Sequence, residues 1–439
     1  MYGILPFLLL VLFNVAQCIS IESNSIPNED WGYVTVRRSA HVFWWSMGAV
    51  DRTERNNLPL ILWLQGGPGA SSTGFGNFEE IGPFDMNGRA RSSTWLKKAN
   101  LLFIDNPVGA GFSYVDNLRA LTTNVDQIAD DLFVIFSAVL KKIPAFQHTP
   151  FYIFCESYGG KMTAAFGERL HRGIESGSIN VNFKGVALGD SWISPVDFVM
   201  SWGPYLHAFN LLDSRDLNKL MQYTEMTKRA VDNQQWSYAT RYWGDTENLI
   251  MSLTDGVSLY NVLRHSGRGS SKDSFNTTQD VMDMLHQTHV RTYYQESLSH
   301  FMNTEIKRKL RIPAHVQWGG QTGSVFRAQG GDFMKPVIST VDKLIALNYK
   351  VVVFQGQLDV ICDTLGAEMW INKLKWSKLG SWKGSQKRPM YVRSKGRNTQ
   401  GFVKSYDNFS LYYILNAGHM VPADNPEMAL RMMEAVVGS

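Results

Sequence analysis

The stretch Phe151-Tyr152-Ile153-Phe154-Cys155-Glu156-Ser157-Tyr158-Gly159-Gly160 decides the fold. Its apolar first half reads as a buried strand, and Lys161 to Leu170 reads as helix, so Ser157 falls on a sharp strand-to-helix turn. A turn of this kind lifts the hydroxyl above the sheet edge. It also aims the next backbone N–H, that of Tyr158, into the same space. The common pattern is Gly-x-Ser-x-Gly. Cys155 stands in place of the first glycine and is small enough for the turn. On this motif alone, Ser157 could equally be a helix cap.

Working outward, Leu58–Leu64, Asn100–Asp105, Phe183–Leu188, Lys350–Phe354 and Ser410–Leu415 read as strands. Asn124–Val139, Val341–Leu347, Ala367–Leu374 and Pro426–Val437 read as helices. The alternation predicts an α/β fold, a mostly parallel central sheet with helices on both faces. Between residues 201 and 310 the strand signal fades into polar, helical sequence with a loop at His265–Lys272. That segment reads as a helical insertion capping the site. The chain thus divides into a leader (1–18), a first part of the core (19–200), the insertion (201–310) and a second part of the core (311–439).

The 439 residues are 44% hydrophobic and 19% charged, enough apolar content for a large core and incompatible with disorder as the main state. Three cysteines exclude a disulfide-stapled miniature fold. Met1 to Phe13 is an apolar run too short to span a bilayer, and Ala16 and Cys18 are small residues before a cut. This predicts a cleaved secretory signal and a secreted or lysosomal protein. The sequons at Asn276 and Asn408 agree with that route. Cys155 and Cys362 then remain, as one disulfide or two free thiols. Their place inside motifs favours free thiols. No later segment predicts a membrane span.

Lys+Arg 43 against Asp+Glu 39 gives a net charge of +4, which predicts no nucleic-acid partner. The excess is local, because Ile371–Gln400 holds nine basic residues and no acidic one. With Trp376 and Trp382 interleaved it could bind a polyanion. Charge runs more often coat a solvated face, here a helix end and a surface hairpin.

A serine nucleophile needs a base and an orienting carboxylate. His419 lies in Asn416-Ala417-Gly418-His419-Met420-Val421-Pro422, just past a strand, and Asp359 follows the strand Lys350–Phe354. Singly, each reads as an ordinary loop residue. In the order Ser157, Asp359, His419, each beyond a strand end, they match the α/β-hydrolase arrangement. Gln65-Gly66-Gly67-Pro68-Gly69 ends an earlier strand. No Gly-Lys-Ser/Thr follows, so it is not a phosphate loop. It suits an oxyanion hole made by the N–H groups of Gly67 and Tyr158.

These segments, with Phe78-Glu79-Glu80-Ile81-Gly82-Pro83 and Asn106-Pro107-Val108-Gly109-Ala110-Gly111-Phe112-Ser113-Tyr114, resemble the serine carboxypeptidase family over nearly the whole mature chain. The resemblance implies an α/β-hydrolase fold and release of C-terminal residues from peptides through an acyl-enzyme at acidic pH. It implies Ser157 as nucleophile, His419 as base and then acid, and Asp359 as its partner. It maps the substrate-carboxylate site onto Gln65, Glu80 and Glu156. Before the resemblance, Glu80 and Glu156 could be ordinary ion-pair partners. Gln65 stands where the family has Asn, Ala70 replaces a frequently disulfide-bonded Cys, and Gln357 replaces an Asp. Cys362 falls where some members keep a thiol beside the substrate. No metal or organic cofactor is implied. Rival readings are an acyltransferase on the same chemistry and a non-catalytic binding protein on the same scaffold. An intact Ser157, Asp359 and His419 argues against the latter. Composition and motifs leave the oligomeric state open.

Overall fold

The computed structural model describes residues 28–48, 57–265 and 278–438. The predicted leader and the Asn276 sequon lie outside them. Thirteen strands are present among the described residues: β1 Asp30–Arg37, β2 Ala40–Met47, β3 Leu60–Leu64, β4 Asn100–Ile104, β5 Tyr114–Val115, β6 Pro150–Glu156, β7 Asn182–Gly189, β8 Val257–Ser258, β9 Asn261–His265, β10 Lys350–Gly356, β11 Arg388–Met390, β12 Gly401–Tyr406 and β13 Phe409–Ile414. The large sheet runs β1-β2-β4-β3-β6-β7-β10-β13-β12-β11, with β5 paired to β2. From β4 to β13 every neighbour pair is parallel, and both flanks are antiparallel.

This topology explains what the sequence pattern showed and what it hid. The central strands are buried on both faces, so they read as continuous apolar runs. β3 and β4 are buried at every position. β1 mixes polar and apolar residues and is mostly half-buried, so no apolar run announced the N-terminal hairpin. At the opposite edge, β11 carries Arg388 and Pro389, residue types that blunt an exposed strand edge.

The basic stretch Ile371–Gln400 is now placed. It contains a short helix, Leu379–Gly384, and this edge strand. Some of its charge is spent locally: Lys373 pairs with Asp197 at 2.5 Å and Lys378 with Asp407 at 2.5 Å. The Lys387 ammonium lies 3.8 Å from the centre of the Tyr413 ring.

Helices α1, Val125–Lys142, and α2, Gly159–Glu175, pack together against the sheet. Asn124 caps α1 by accepting from Gln127 N–H at 3.0 Å, and Lys141 and Lys142 suit its C-terminal dipole. Between β7 and β10 run α3 Pro195–Ala208, α4 Ser214–Asp232, α5 Trp236–Leu253 and α6 Thr278–His289, with β8 and β9 forming a separate small hairpin. Two apolar layers, one on each face of the sheet, form the core. Among the described residues, no helix is long and apolar enough to cross a membrane.

Candidate active site

The turn after β6 holds Ser157 at φ +61°, the left-handed region that a side chain adopts only under surrounding constraint. The constraint is visible. Ser157 N–H donates to the Gly189 carbonyl at 3.1 Å, and its own carbonyl accepts from Trp192 N–H at 2.9 Å. Space is equally tight. A Cβ on Gly66 would sit 2.5 Å from Ser157 Cβ, and one on Gly160 would sit 2.4 Å from Ser191 Cβ. Cys155 packs in the same corner, its thiol 3.4 Å from the Ala187 carbonyl, and burial pushes its pKa up to about 11. It is a buried packing residue, small enough for the turn.

Asp359 and His419 come from the loops after β10 and β13. The loops meet because glycine permits it: a Cβ on Gly356 would lie 2.0 Å from the Gly418 carbonyl oxygen. Leu358 N–H donates to the Ala417 carbonyl at 2.8 Å. Asp359 Oδ2 accepts from His419 Nδ1 at 2.8 Å, and both side chains are fully buried. His419 Nε2 is buried with no partner among the described residues, so the ring nitrogen a general base needs is not spent elsewhere. Ser157 Oγ is not within hydrogen-bonding geometry of it.

The glycine turn lies directly against the elbow. The Cβ position of Gly66 is 2.9 Å from the backbone nitrogen of Tyr158, and Gly67 follows at φ +107°, a conformation suited to glycine. Asp105 fastens this loop: its carboxylate accepts from Ser71 Oγ (2.8 Å), Thr73 N–H (3.0 Å), Thr73 Oγ1 (2.7 Å) and Phe112 N–H (2.9 Å). Through it the Asn106–Tyr114 motif supports the Gly66–Gly69 turn.

A wide π-type helix, Ser72–Ile81, follows and brings Glu80 inward. Gln65, Glu80 and Glu156 are all buried. Gln65 Nε2 donates to Glu156 Oε1 at 2.8 Å, and Gln65 Oε1 accepts from Trp63 Nε1 at 2.6 Å. Both ends of the longer Gln amide therefore have a use. Burial pushes Glu80 up to about 8, opposed by the side chains of Glu156 and Gln65. Burial, then the charge of Glu80, holds Glu156 well above the usual carboxylate range.

Sequence reasoning missed Tyr293, whose hydroxyl donates to Glu156 Oε1 at 3.3 Å. It also missed Asp190, whose Oδ1 accepts Gly356 N–H at 2.8 Å. Neither lies in a recognisable motif. Only the fold brings them to the site.

Cys362 is a buried free thiol. Ligand atoms of Asp359, Cys362 and His419 lie within 4.8 Å of one another. Asp359 Oδ2 and His419 Nδ1 are spent on each other, and burial with nearby carboxylates keeps the Cys362 thiol protonated. The donor set fits a catalytic pair with a thiol beside it better than a metal site. At the predicted sequon, Asn408 Nδ2 donates to the carbonyls of Ile345 at 2.9 Å and Tyr349 at 2.8 Å. A glycan on Nδ2 would replace one of these hydrogens, which counts against the expected modification at Asn408.

The family model described as serine carboxypeptidase matches residues 21–439. The chain belongs to the serine carboxypeptidase family. It is 49% identical over 411 residues to the retinoid-inducible serine carboxypeptidase of Rattus norvegicus, covering 93% of this chain and 91% of that one. The protein of that name in Homo sapiens is 48% identical over the same shares. Serine carboxypeptidase-like 51 of Arabidopsis thaliana is 41% identical, covering 98% of both chains. The crystal structure of Kex1Δp, a prohormone-processing carboxypeptidase from Saccharomyces cerevisiae, superposes with TM-score 0.79 at 21% identity, covering 94% of this chain and 92% of that one. With the family match, that likeness shows the α/β-hydrolase fold.

Proposed function

We propose that this serine carboxypeptidase releases single residues from peptide C-termini through an acyl-enzyme on Ser157. The observation that carries the reading is the buried Asp359–His419 pair, with Nε2 unpartnered, beside a serine held on a strained elbow. His419 takes the Ser157 proton as Oγ attacks the last peptide carbonyl, then returns it to the departing amine. Asp359 fixes the tautomer and stabilises the imidazolium. The N–H groups of Gly67 and Tyr158 receive the oxyanion. Water then repeats the sequence on the acyl-enzyme.

Gln65, Glu80 and Glu156 bind the substrate's terminal carboxylate. Two close carboxyls ionise together only at high cost, so protonated Glu donates to the substrate anion. This favours acidic over alkaline pH for peptides. The apolar leader and the Asn276 sequon support a secretory or lysosomal route. A fluorophosphonate probe tests the core of the reading, with labelling of the native protein and none of Ser157→Ala expected. Equal labelling of both removes Ser157 as nucleophile. Residue-by-residue trimming of peptides, read by mass spectrometry at acidic pH, tests the exopeptidase assignment.

A further inference from the structure

Behind His419 lies a second acid–histidine–hydroxyl line that the reaction above does not use. Glu247 Oε2, on α5, faces His289 Nε2 at 2.7 Å, at the end of α6. His289 Nδ1 faces the Tyr260 hydroxyl at 2.9 Å. Glu247 and His289 are buried, and Trp243 stacks on the imidazole with ring centres 4.9 Å apart. Tyr260, in the turn between β8 and β9, is only half-buried. Its ring centre is 5.0 Å from that of His419, tilted by 49°.

The same turn braces both catalytic loops through the backbone. The Tyr260 carbonyl accepts His419 N–H at 2.8 Å, and the Leu259 carbonyl accepts Ile361 N–H at 2.9 Å. The Leu358 carbonyl accepts Val262 N–H at 2.8 Å.

We propose that Tyr260 is a positioning residue for His419, clamped at its hydroxyl by the Glu247–His289 pair. Through it, the inserted segment sets the angle at which the imidazole meets Ser157. The inference rests on His419 being the base. Asp359 holds one edge of the imidazole but leaves it free to turn about that hydrogen bond. A tilted ring in contact with the imidazole limits that freedom, and small misplacements of a base are costly. Tyr260 can do this only if its own ring is held at the far end. With Glu247 as acceptor, His289 donates from Nε2, and Nδ1 holds the phenol. Burial, then the neighbouring carboxylates of Glu247 and Asp359, raises the Tyr260 pKa well above its ordinary value, so the phenol keeps its proton.

The test compares kcat and KM on one peptide for Tyr260→Phe, Glu247→Leu, Glu247→Gln and the Tyr260→Phe/Glu247→Leu double variant. Rates are normalised to the fraction of Ser157 labelled. Tyr260→Phe and Glu247→Leu should each lower kcat about ten-fold, the scale of one buried hydrogen bond, with KM within about two-fold. The double variant should be no slower than the slower single, as members of one line are not additive. Glu247→Gln, whose amide oxygen still accepts from His289, should recover most of the loss. Wild-type kcat in Tyr260→Phe overturns the proposal. So do multiplying losses, or a Gln variant no better than Leu. If Glu247→Leu does not fold, Tyr260→Phe alone decides. A wild-type protein that labels at no serine and cuts no peptide refutes the catalytic reading itself, a distinct outcome.

Discussion

Replacing Glu80 by Gln tests the substrate-carboxylate site by separating proton donation from negative charge. Glu80 is buried against the hydrogen-bonded pair of Gln65 and Glu156, and burial pushes its pKa up to about 8. Below that pH its carboxyl can donate to the terminal carboxylate of a peptide. One unit above it, roughly nine tenths of the group is ionised and repels the substrate. The apparent KM of the native enzyme should then rise about ten-fold from pH 6 to 9, since only the protonated fraction binds. The ceiling is a hydrogen bond to a charged group, about 1.5–3 kcal/mol.

Glu80→Gln keeps a donor that never ionises. Its KM at pH 5 should stay within a few-fold, about the difference between a neutral and an acid donor, and the alkaline rise should flatten. The assay is kcat and KM from pH 4.5 to 9 on a peptide and its C-terminally amidated counterpart, which carries no anion to repel. The reasoning fails if the alkaline rise persists unchanged in Glu80→Gln, or if acid and amide show the same pH dependence.

Asp359→Asn should lower kcat by roughly 10⁴-fold by stranding His419 in the wrong tautomer. A loss under ~10-fold would mean another group orients His419. Thermal stability should fall as pH rises from 5 to 8. Folding raises Glu80 from 4.5 to about 8 and Asp363 from 3.8 to about 7, so across that window the folded chain holds protons that the unfolded chain has released. A Tm that climbs between pH 5 and 8 contradicts this. Lys161 is buried, its ammonium donating to Asp332 Oδ2 at 3.1 Å and to the Phe333 carbonyl at 3.2 Å. Lys161→Met should cost about 3–5 kcal/mol by breaking the buried pair, leaving Asp332 only the Tyr158 hydroxyl at 3.1 Å and Lys335 at 3.8 Å, with much of it regained in Lys161→Met/Asp332→Leu. Urea unfolding checks both, and a cost below ~1 kcal/mol would mean Asp332 finds other compensation.

Local sequence was enough for the central sheet and the elbow, because both rest on short-range physics. Strands buried on two faces must be apolar throughout, as Leu60–Leu64 and Asn100–Ile104 are. A tight strand-to-helix turn must surround its serine with small residues, as Gly159 and Gly160 do. Chain order then placed Asp359 and His419 beyond strand ends. The half-polar β1 carried no such signature, and its pairing with β2 emerged only from the sheet.

The rest of the site depends on contacts between residues far apart in the chain. Whether Glu80 and Glu156 are surface ions or a buried acid pair could not be read from residue types. Burial decides it, through the inward turn of Ser72–Ile81 and the Gln65 amide. Whether Gln65 could serve where Asn is usual turned on Trp63 taking its extra reach. Tyr293, Asp190 and the Glu247–His289–Tyr260 line have no local pattern, because hydrogen bonds across 29 to 166 residues leave no periodicity. The sequence by itself determined the fold and the chain order of Ser157, Asp359 and His419, each beyond a strand end. The tertiary structure decided the proton affinities of those groups and what holds them in place, since both depend on burial and distance.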